Sequence, residues 1–227
     1  MKPFSIGARA LLALLCLTLA GFGTAYAQSD DAAAPDAANP PPASAPPPGS
    51  VQLVVDPSNS QASYHAHEQL AGNDLPSDAV GTSHGVSGTI VLNPDGSVNS
   101  DQSQVTVDLT SLTSDEDQRD NFIKRNTLQV NQFPTATFVP TQVVGLDTPL
   151  PTSGQQTFQL MGNLTVHGVT QPVTWDVNAQ FGDTSVSGDA TTPVHITDFG
   201  MPIPSVAVVL SLNDALTLEM QFVANTQ

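Results

Sequence analysis

Residues 173–181 read VTWDVNAQF, and apolar and polar side chains alternate through the whole stretch. A period of two places one side of a β-strand in an apolar interior and the other side in water. The same alternation returns at residues 105–109 and 216–222. These three stretches predict an all-β fold in which each strand has one buried face.

Further strands and their turns can be read from the same sequence. Strand-like composition is found at residues 51–56, 62–67, 85–92, 135–144, 157–166 and 185–196. The turn signals are Asn93-Pro94-Asp95-Gly96, His167-Gly168 and Gly182-Asp183. The short connections leave no room for crossover helices, so the sheet is predicted to be antiparallel. Closing it into a barrel removes its exposed edges, and a barrel of about eight strands is wide enough for side chains or one small ligand.

One segment departs from the alternation. Thr113 with Glu116, or Ser114 with Asp117, forms a capping-box pattern. Acidic residues in the first turn and basic residues in the last turn would suit the dipole of a helix. The pattern predicts one short helix over residues 114–126.

The first 27 residues have the pattern of a secretory signal peptide. Lys2 and Arg9 form a positive n-region, residues 10–22 form an apolar run, and Ala25-Tyr26-Ala27 matches an A-x-A cleavage site. Two alternatives stay open: a buried core helix, and a membrane anchor that is retained because cleavage does not occur. The signal interpretation predicts a secreted or periplasmic protein, and the anchor interpretation predicts association of the N terminus with a membrane.

Residues 28–50 are rich in Pro, Ala and acidic residues and contain two Pro-Pro-Pro runs. Proline removes backbone donors and stiffens the chain, and so little apolar surface cannot offset the entropy of ordering it. This composition predicts a disordered linker, followed by one barrel domain over residues 51–227.

The charge balance excludes several classes of partner. Without residues 1–27 the chain has three basic residues against all 21 acidic ones, a formal charge of −18. Such a charge disfavours nucleic acid and anionic membrane surfaces. The only cysteine, Cys16, lies in the apolar run, so the predicted domain has no disulfide.

The signals for catalysis are weak. His65 and His67 are two apart on a predicted strand and point to one face, where His84 or Glu68 would be a further Zn²⁺ ligand. The competing interpretation is a solvated strand face. The sequence contains no G-x-S-x-G, P-loop or G-x-G-x-x-G motif. We therefore predict that the protein is not an enzyme and that it holds no cofactor and no metal.

Three stretches carry a family resemblance. Residues 118–125 (QRDNFIKR) are followed by residues 132–138 (QFPTATF), then by residues 162–173 (GNLTVHGVTQPV) and residues 198–201 (DFGM). A helix with an Arg-Asp pair and an FPxATF strand entry, a GxLTxxGVTxPV hairpin and a DFGM strand end, in this order, resemble the YceI-like family. The resemblance extends over roughly residues 51–224.

The resemblance implies a lipocalin-like antiparallel barrel that is secreted or periplasmic. Members of the family are described as binding polyisoprenoid lipids, such as isoprenoid quinones or prenyl phosphates, in a long cavity. The chain departs from the family pattern near residues 68–80, where residues 71–76 (AGNDLP) are predicted to form a longer loop that caps or narrows the mouth of the barrel.

The inward positions of the predicted strands are the candidate lining of such a cavity. They are Val107, Leu109, Phe138, Phe158, Leu160, Leu164, Val173, Trp175, Val177, Phe181, Leu218, Met220 and Phe222. Sequence does not decide whether a barrel lined in this way is filled or hollow. Arg119 is the candidate contact for a ligand's head group, which is expected at the mouth. Because basic residues are few, an uncharged head is expected in preference to a phosphate.

Three functions are compatible with these observations. The first is an exported protein that holds a polyisoprenoid-chain ligand for transport, storage or stress protection. The second is a non-catalytic structural or interaction module on a Pro-rich stalk. The third is a metal-dependent enzyme that uses His65 and His67 as ligands.

Overall fold

The alternating segments form β-strands in a computed structural model that describes residues 45–70, 77–204 and 209–227. The strands are β1 (Val51–Val55), β2 (Gln61–Leu70), β3 (Ser77–Ser83), β4 (Val86–Leu92), β5 (Gln104–Asp108), β6 (Thr135–Val144), β7 (Gly154–Val166), β8 (Val169–Phe181), β9 (Ser185–His195) and β10 (Val209–Thr226). All pairings between them are antiparallel, as predicted.

The ten segments make an eight-stranded closed barrel, because two pairs of segments lie end to end. β1 and β2 follow one another along β10, where Leu53 pairs with Thr226 and Ala62 pairs with Met220. β4 and β3 follow one another along the other side of β1 and β2. The ring then continues through β5, β6, β7, β8 and β9 back to β10. Closure pairs the strand edges that would otherwise be exposed, and the predicted fold class is confirmed.

The inward face follows the predicted alternation. In β8 Trp175, Val177, Ala179 and Phe181 are buried. The buried residues of β7, β8 and β9 belong to one apolar cluster that also takes in Phe199. The two-residue turn His167-Gly168 has positive φ values of 53° and 75°, which is the twist that a tight hairpin between β7 and β8 requires.

The helical segment begins three residues later than predicted. Helix α1 (Asp117–Phe122) continues as a π-helical turn, Ile123–Thr127. Its N-cap is Glu116, whose side chain accepts from the N–H of Gln118 at 3.4 Å, so neither predicted capping box forms. Ser114 lies outside the helix because its N–H and Oγ both donate to the carboxylate of Asp120, at 2.9 and 2.5 Å.

The predicted loop at residues 71–76 lies outside the described residues, between the end of β2 at Leu70 and the start of β3 at Ser77. Two other expectations about the strands are corrected. β5 ends at Asp108, and Leu109 starts a 3-10 turn because the Asp108 carboxylate accepts from the N–H of Thr110. The DFGM stretch is not a strand end but a 3-10 turn, Ile196–Phe199, closed by Gly200 at φ 67°.

One compact unit, Ala43–Gln227, contains all the described residues. No helix in this described part is long and apolar enough to cross a membrane. The predicted signal sequence and most of the predicted linker lie outside the described residues. The end of that linker is described, and it forms a turn in which the N–H of Ser50 donates to the carbonyl of Pro47 at 3.0 Å.

Candidate ligand-binding cavity

The interior of the barrel is hollow. A cavity of about 860 Å³ runs from α1 at one end to the loop after β6 at the other. Its wall is almost entirely apolar and is built from the inward faces of the strands. This volume lies in the range of about 300–1,000 Å³ that is typical of small-molecule sites.

Most of the predicted lining residues lie on this wall. They are Val107, Leu109, Phe138, Phe158, Leu160, Leu164, Trp175, Val177, Phe181, Leu218, Met220 and Phe222. Val173 does not reach the cavity but packs against the core cluster near the start of β8. The 3-10 turn Ile196–Phe199 crosses that part of the strand, where Gln171 Nε2 donates to the carbonyl of Asp198 at 2.7 Å. That these residues bind a ligand stays a prediction.

Sequence reasoning missed the part of the wall that the connections supply. Phe122 and Ile123 of the helical segment close one end, and Leu146 and Leu150 of the loop between β6 and β7 line the other. The adjacent pair Phe122-Ile123 could have been assigned to the cavity wall, because two apolar residues in a short helix are expected to pack against the interior. The loop leucines have no periodicity and gave no signal.

Three polar residues of the helical end line the cavity: Glu116, Gln118 and Arg119. Arg119 Nη1 donates to Asp115 Oδ1 at 2.9 Å, and four-fifths of the Asp115 side chain is exposed. The candidate head-group residue therefore lines the cavity with its charge balanced by Asp115 and with the acidic Glu116 at the same end. That Arg119 contacts a head group stays a prediction.

Trp175 carries a polar atom with no partner. Its Nε1 is buried and makes no hydrogen bond, while its ring packs edge-on against Phe138 with centroids 6.0 Å apart. The other such side-chain atoms in the described part are Ser50 Oγ and His167 Nε2, and neither residue lines the cavity.

The histidines on β2 lie on the outer face of the barrel. His65 Nε2 is 3.0 Å from Glu219 Oε2 and 3.5 Å from Ser63 Oγ. A serine–histidine–acid relay uses two different ring nitrogens, whereas here both partners meet the same one. Nowhere in the described ranges do three or more His, Cys, Asp or Glu side chains come together as a metal would require.

His195, the last residue of β9, lies beside Asp214 of β10. Its Nδ1 is 3.5 Å from Asp214 Oδ2, and the same carboxylate accepts from the Oγ1 and N–H of Thr197 at 2.7 and 3.1 Å. These hydrogen bonds from Thr197, with a smaller contribution from the charge of His195, hold the pKa of Asp214 below its ordinary value. The group ties the 3-10 turn to the start of β10.

Comparison with known proteins agrees with the resemblance seen in the sequence. A family model described as the YceI-like domain matches residues 53–224. A UPF0312 protein of Pseudomonas putida is 34% identical over 111 residues, which are 45% of this chain and 54% of that protein. A UPF0312 protein of Vibrio vulnificus is 32% identical over 108 residues, which are 44% of this chain and 52% of that protein. The chain thus spans about half the length of the curated relatives it matches.

Solved structures share the fold at low sequence identity. A polyisoprenoid binding domain from Saccharophagus degradans, implicated in plant cell wall breakdown, superposes with a TM-score of 0.60 at 13% identity, covering 77% of this chain and 98% of that one. BcnA of Burkholderia cenocepacia superposes with a TM-score of 0.56 at 19% identity, covering 75% and 99%. The YCEI protein of Campylobacter jejuni gives 0.54 at 17% identity, covering 70% and 91%.

Proposed function

The chain belongs to the YceI-like family, and from that premise we propose that it is a binding protein for a polyisoprenoid-chain lipid with an uncharged head. The observation that carries the proposal is the apolar cavity of about 860 Å³ inside the barrel. Each methylene buried there contributes about 0.8 kcal/mol, so a chain of several isoprene units gains affinity without any charge pairing.

Two further observations support the proposal. The Saccharophagus degradans domain, which has the same fold, is described as polyisoprenoid binding. The wall is lined mainly by aliphatic side chains, whose small cross-section leaves space for a slim branched chain. A binding role also fits the outer-face histidines, since the pairing of His65 with Glu219 is what a solvated strand face provides.

We further propose that the protein is exported and acts in the periplasm or outside the cell. The proposal rests on the signal-peptide pattern of residues 1–27. Sequencing the N terminus of the protein recovered from the cell envelope tests it. A mature chain beginning at Gln28 would support export, whereas a chain that begins at Met1 and sediments with membranes would support the anchor.

The binding function is tested by native mass spectrometry of the purified protein, with organic extraction of what it carries. Ala190→Phe places a ring in the cavity from a buried position on β9, and Thr191→Phe places the same ring on the opposite face of the strand. We expect the wild-type protein and the Thr191→Phe variant to carry a prenyl lipid and the Ala190→Phe variant to carry much less. Thermal melting shows that each variant is folded.

Two results would contradict the proposed function. One is an extract without lipid from protein that also fails to bind an added prenyl chain. The other is equal lipid content in the two variants, because a ligand outside the barrel is insensitive to the Ala190 side chain.

A further inference from the structure

Trp175 lies midway along β8, and its indole forms part of the cavity wall. A buried N–H that makes no hydrogen bond destabilises the folded state, and a buried tryptophan usually finds a partner for its nitrogen. The Nε1 of Trp175 is a buried donor without such a partner.

The fixed surroundings of the ring supply no acceptor. Phe138 packs against the indole edge-on, and Leu160 is the residue paired with Trp175 on β7. Two polar side chains of the wall already have partners: Ser83 Oγ donates to the carbonyl of Asp108 at 2.7 Å, and Arg119 is held by Asp115. Among buried side-chain atoms without a partner in the described residues, only Trp175 Nε1 belongs to the cavity wall.

We infer that Trp175 is a specificity-determining residue whose indole N–H donates a hydrogen bond to an uncharged oxygen of the bound ligand. The acceptor is a quinone carbonyl or a hydroxyl, because the apolar wall makes burial of a charge costly. This inference rests on the proposed function, and it moves the ligand's polar group from the mouth of the barrel to the middle of the cavity.

The chain contains a single tryptophan, so its indole N–H gives one signal in a ¹⁵N–¹H spectrum. The probes are a prenylated benzoquinone and the hydrocarbon with the same number of isoprene units. We expect the quinone to bind the wild-type protein about tenfold more tightly, which corresponds to about 1.4 kcal/mol. We also expect the quinone, and not the hydrocarbon, to move the indole signal downfield.

Two variants separate the donor from the packing. Trp175→Phe removes the N–H and keeps an aromatic ring, so the ratio of quinone affinity to hydrocarbon affinity should fall towards one. Phe138→Leu removes the neighbouring ring and keeps the donor, so both ligands should weaken together and the ratio of their affinities should persist. Thermal melting confirms that both variants are folded.

The outcomes distinguish this inference from the proposed function. If neither probe binds the wild-type protein, the proposed function itself fails. If both bind equally and the indole signal responds to both alike, the lipid site stands and the role of Trp175 is overturned. A preference for the quinone that survives in Trp175→Phe also overturns it and assigns the selectivity to another group.

Discussion

Gly162 and Gly168 lie where two phenylalanine rings need space. A Cβ on Gly162 would be 2.4 Å from the carbonyl oxygen of Val139 and 2.6 Å from Phe138 Cε2, and a Cβ on Gly168 would be 2.8 Å from Phe133 Cε1. All three distances are too short for atoms in contact. The two glycines of the GxLTxxGVT hairpin and the two phenylalanines of the FPxATF entry therefore form one packing unit, which explains in physical terms why the motifs occur together in this chain.

Gly162→Ala is expected to destabilise the protein by about 1–3 kcal/mol, the usual cost of forcing an extra group into a packed interior. The Val139 backbone and the Phe138 ring would both have to move, and Phe138 supports both the cavity wall and Trp175. Urea denaturation measures the change. Gly182→Ala is the matched control, since the nearest atom to a Cβ there is 3.4 Å away. Equal stability of the two variants would show that the Val139 backbone and the Phe138 ring move without cost.

The inward face of β8 was predictable from sequence residue by residue, but its contacts were not. The alternation in VTWDVNAQF assigned the inward face of β8 correctly, because a period of two fixes the face of every residue once one is known. Both Val173 and Trp175 point inward, and the alternation did not show that only Trp175 reaches the cavity. That difference arises where the 3-10 turn Ile196–Phe199 crosses the strand, and no local pattern records such a contact between distant segments.

The bounds of the helical segment were also only partly predictable from local sequence. Its charges predicted the helix, and its end at Thr127 lies within one residue of the prediction. Its start was misplaced because Ser114 has two roles open to it, an N-cap or a partner of the Asp120 side chain. Asp120 is buried, with 8% of its surface exposed, and a buried carboxylate needs hydrogen-bond donors. Ser114 therefore donates to Asp120 and does not cap the helix.

Asp120→Ala is expected to lower the stability of the protein by about 1–3 kcal/mol, because Ser114 N–H and Oγ lose their acceptor. The helical segment should loosen at the same time, since this contact fixes the turn that leads into α1. Hydrogen exchange of the α1 amides and urea denaturation measure the two effects. Asp117→Ala, in the exposed first turn of the same helix, should cost less than the Asp120 change. The reverse order would refute this account.

The contact between the 3-10 turn and β10 predicts a dependence on pH. Hydrogen bonds from Thr197 lower the pKa of Asp214 below 3.8, so the folded state favours the charged carboxylate. Its contribution to stability is complete above the unfolded pKa and is lost as the pH falls through the folded pKa. We therefore expect Asp214→Asn to lose less stability than the wild-type protein between about pH 4 and pH 2.

Denaturation midpoints measured across this pH range test that expectation. Asp56 and Asp95, whose pKa values are also lowered by hydrogen bonds, act equally in both proteins and cancel in the comparison. Asp183→Asn, which removes an exposed carboxylate from the turn between β8 and β9, is the matched control for the loss of one acidic charge. Parallel curves for Asp214→Asn and the wild-type protein would show that this contact does not contribute.

At the scale of the whole molecule, the barrel was predictable and its hollow interior was not. The alternation of apolar and polar residues, the short turns and the need to pair strand edges were enough to predict a barrel of about eight antiparallel strands. The end-to-end placement of β1 and β2 follows from their pairing with β10, which starts more than 130 residues after the end of β2. Whether the inward side chains meet across the barrel depends on its diameter, a property of the closed ring rather than of any strand.

The charge of the whole chain bears on the ligand's head group. The formal charge is −16, and at the helical end of the cavity Arg119 is paired with Asp115 and lies beside Glu116. The long-range field therefore repels an anion, and the nearest guanidinium is already engaged. Prenyl chains of equal length are expected to bind about tenfold more tightly with a quinone or alcohol head than with a phosphate head at low salt.

A competition between these chains at low and at physiological salt measures the preference. Screening shortens the reach of the protein's field, so the disadvantage of the phosphate should shrink as salt is added, while the affinity of the uncharged chain should change little. Arg119→Ala should leave the order unchanged, as should Arg125→Ala, the matched removal of an exposed positive charge that does not line the cavity. Tighter binding of the phosphate, lost in Arg119→Ala but kept in Arg125→Ala, would reverse the conclusion and make α1 the head-group site.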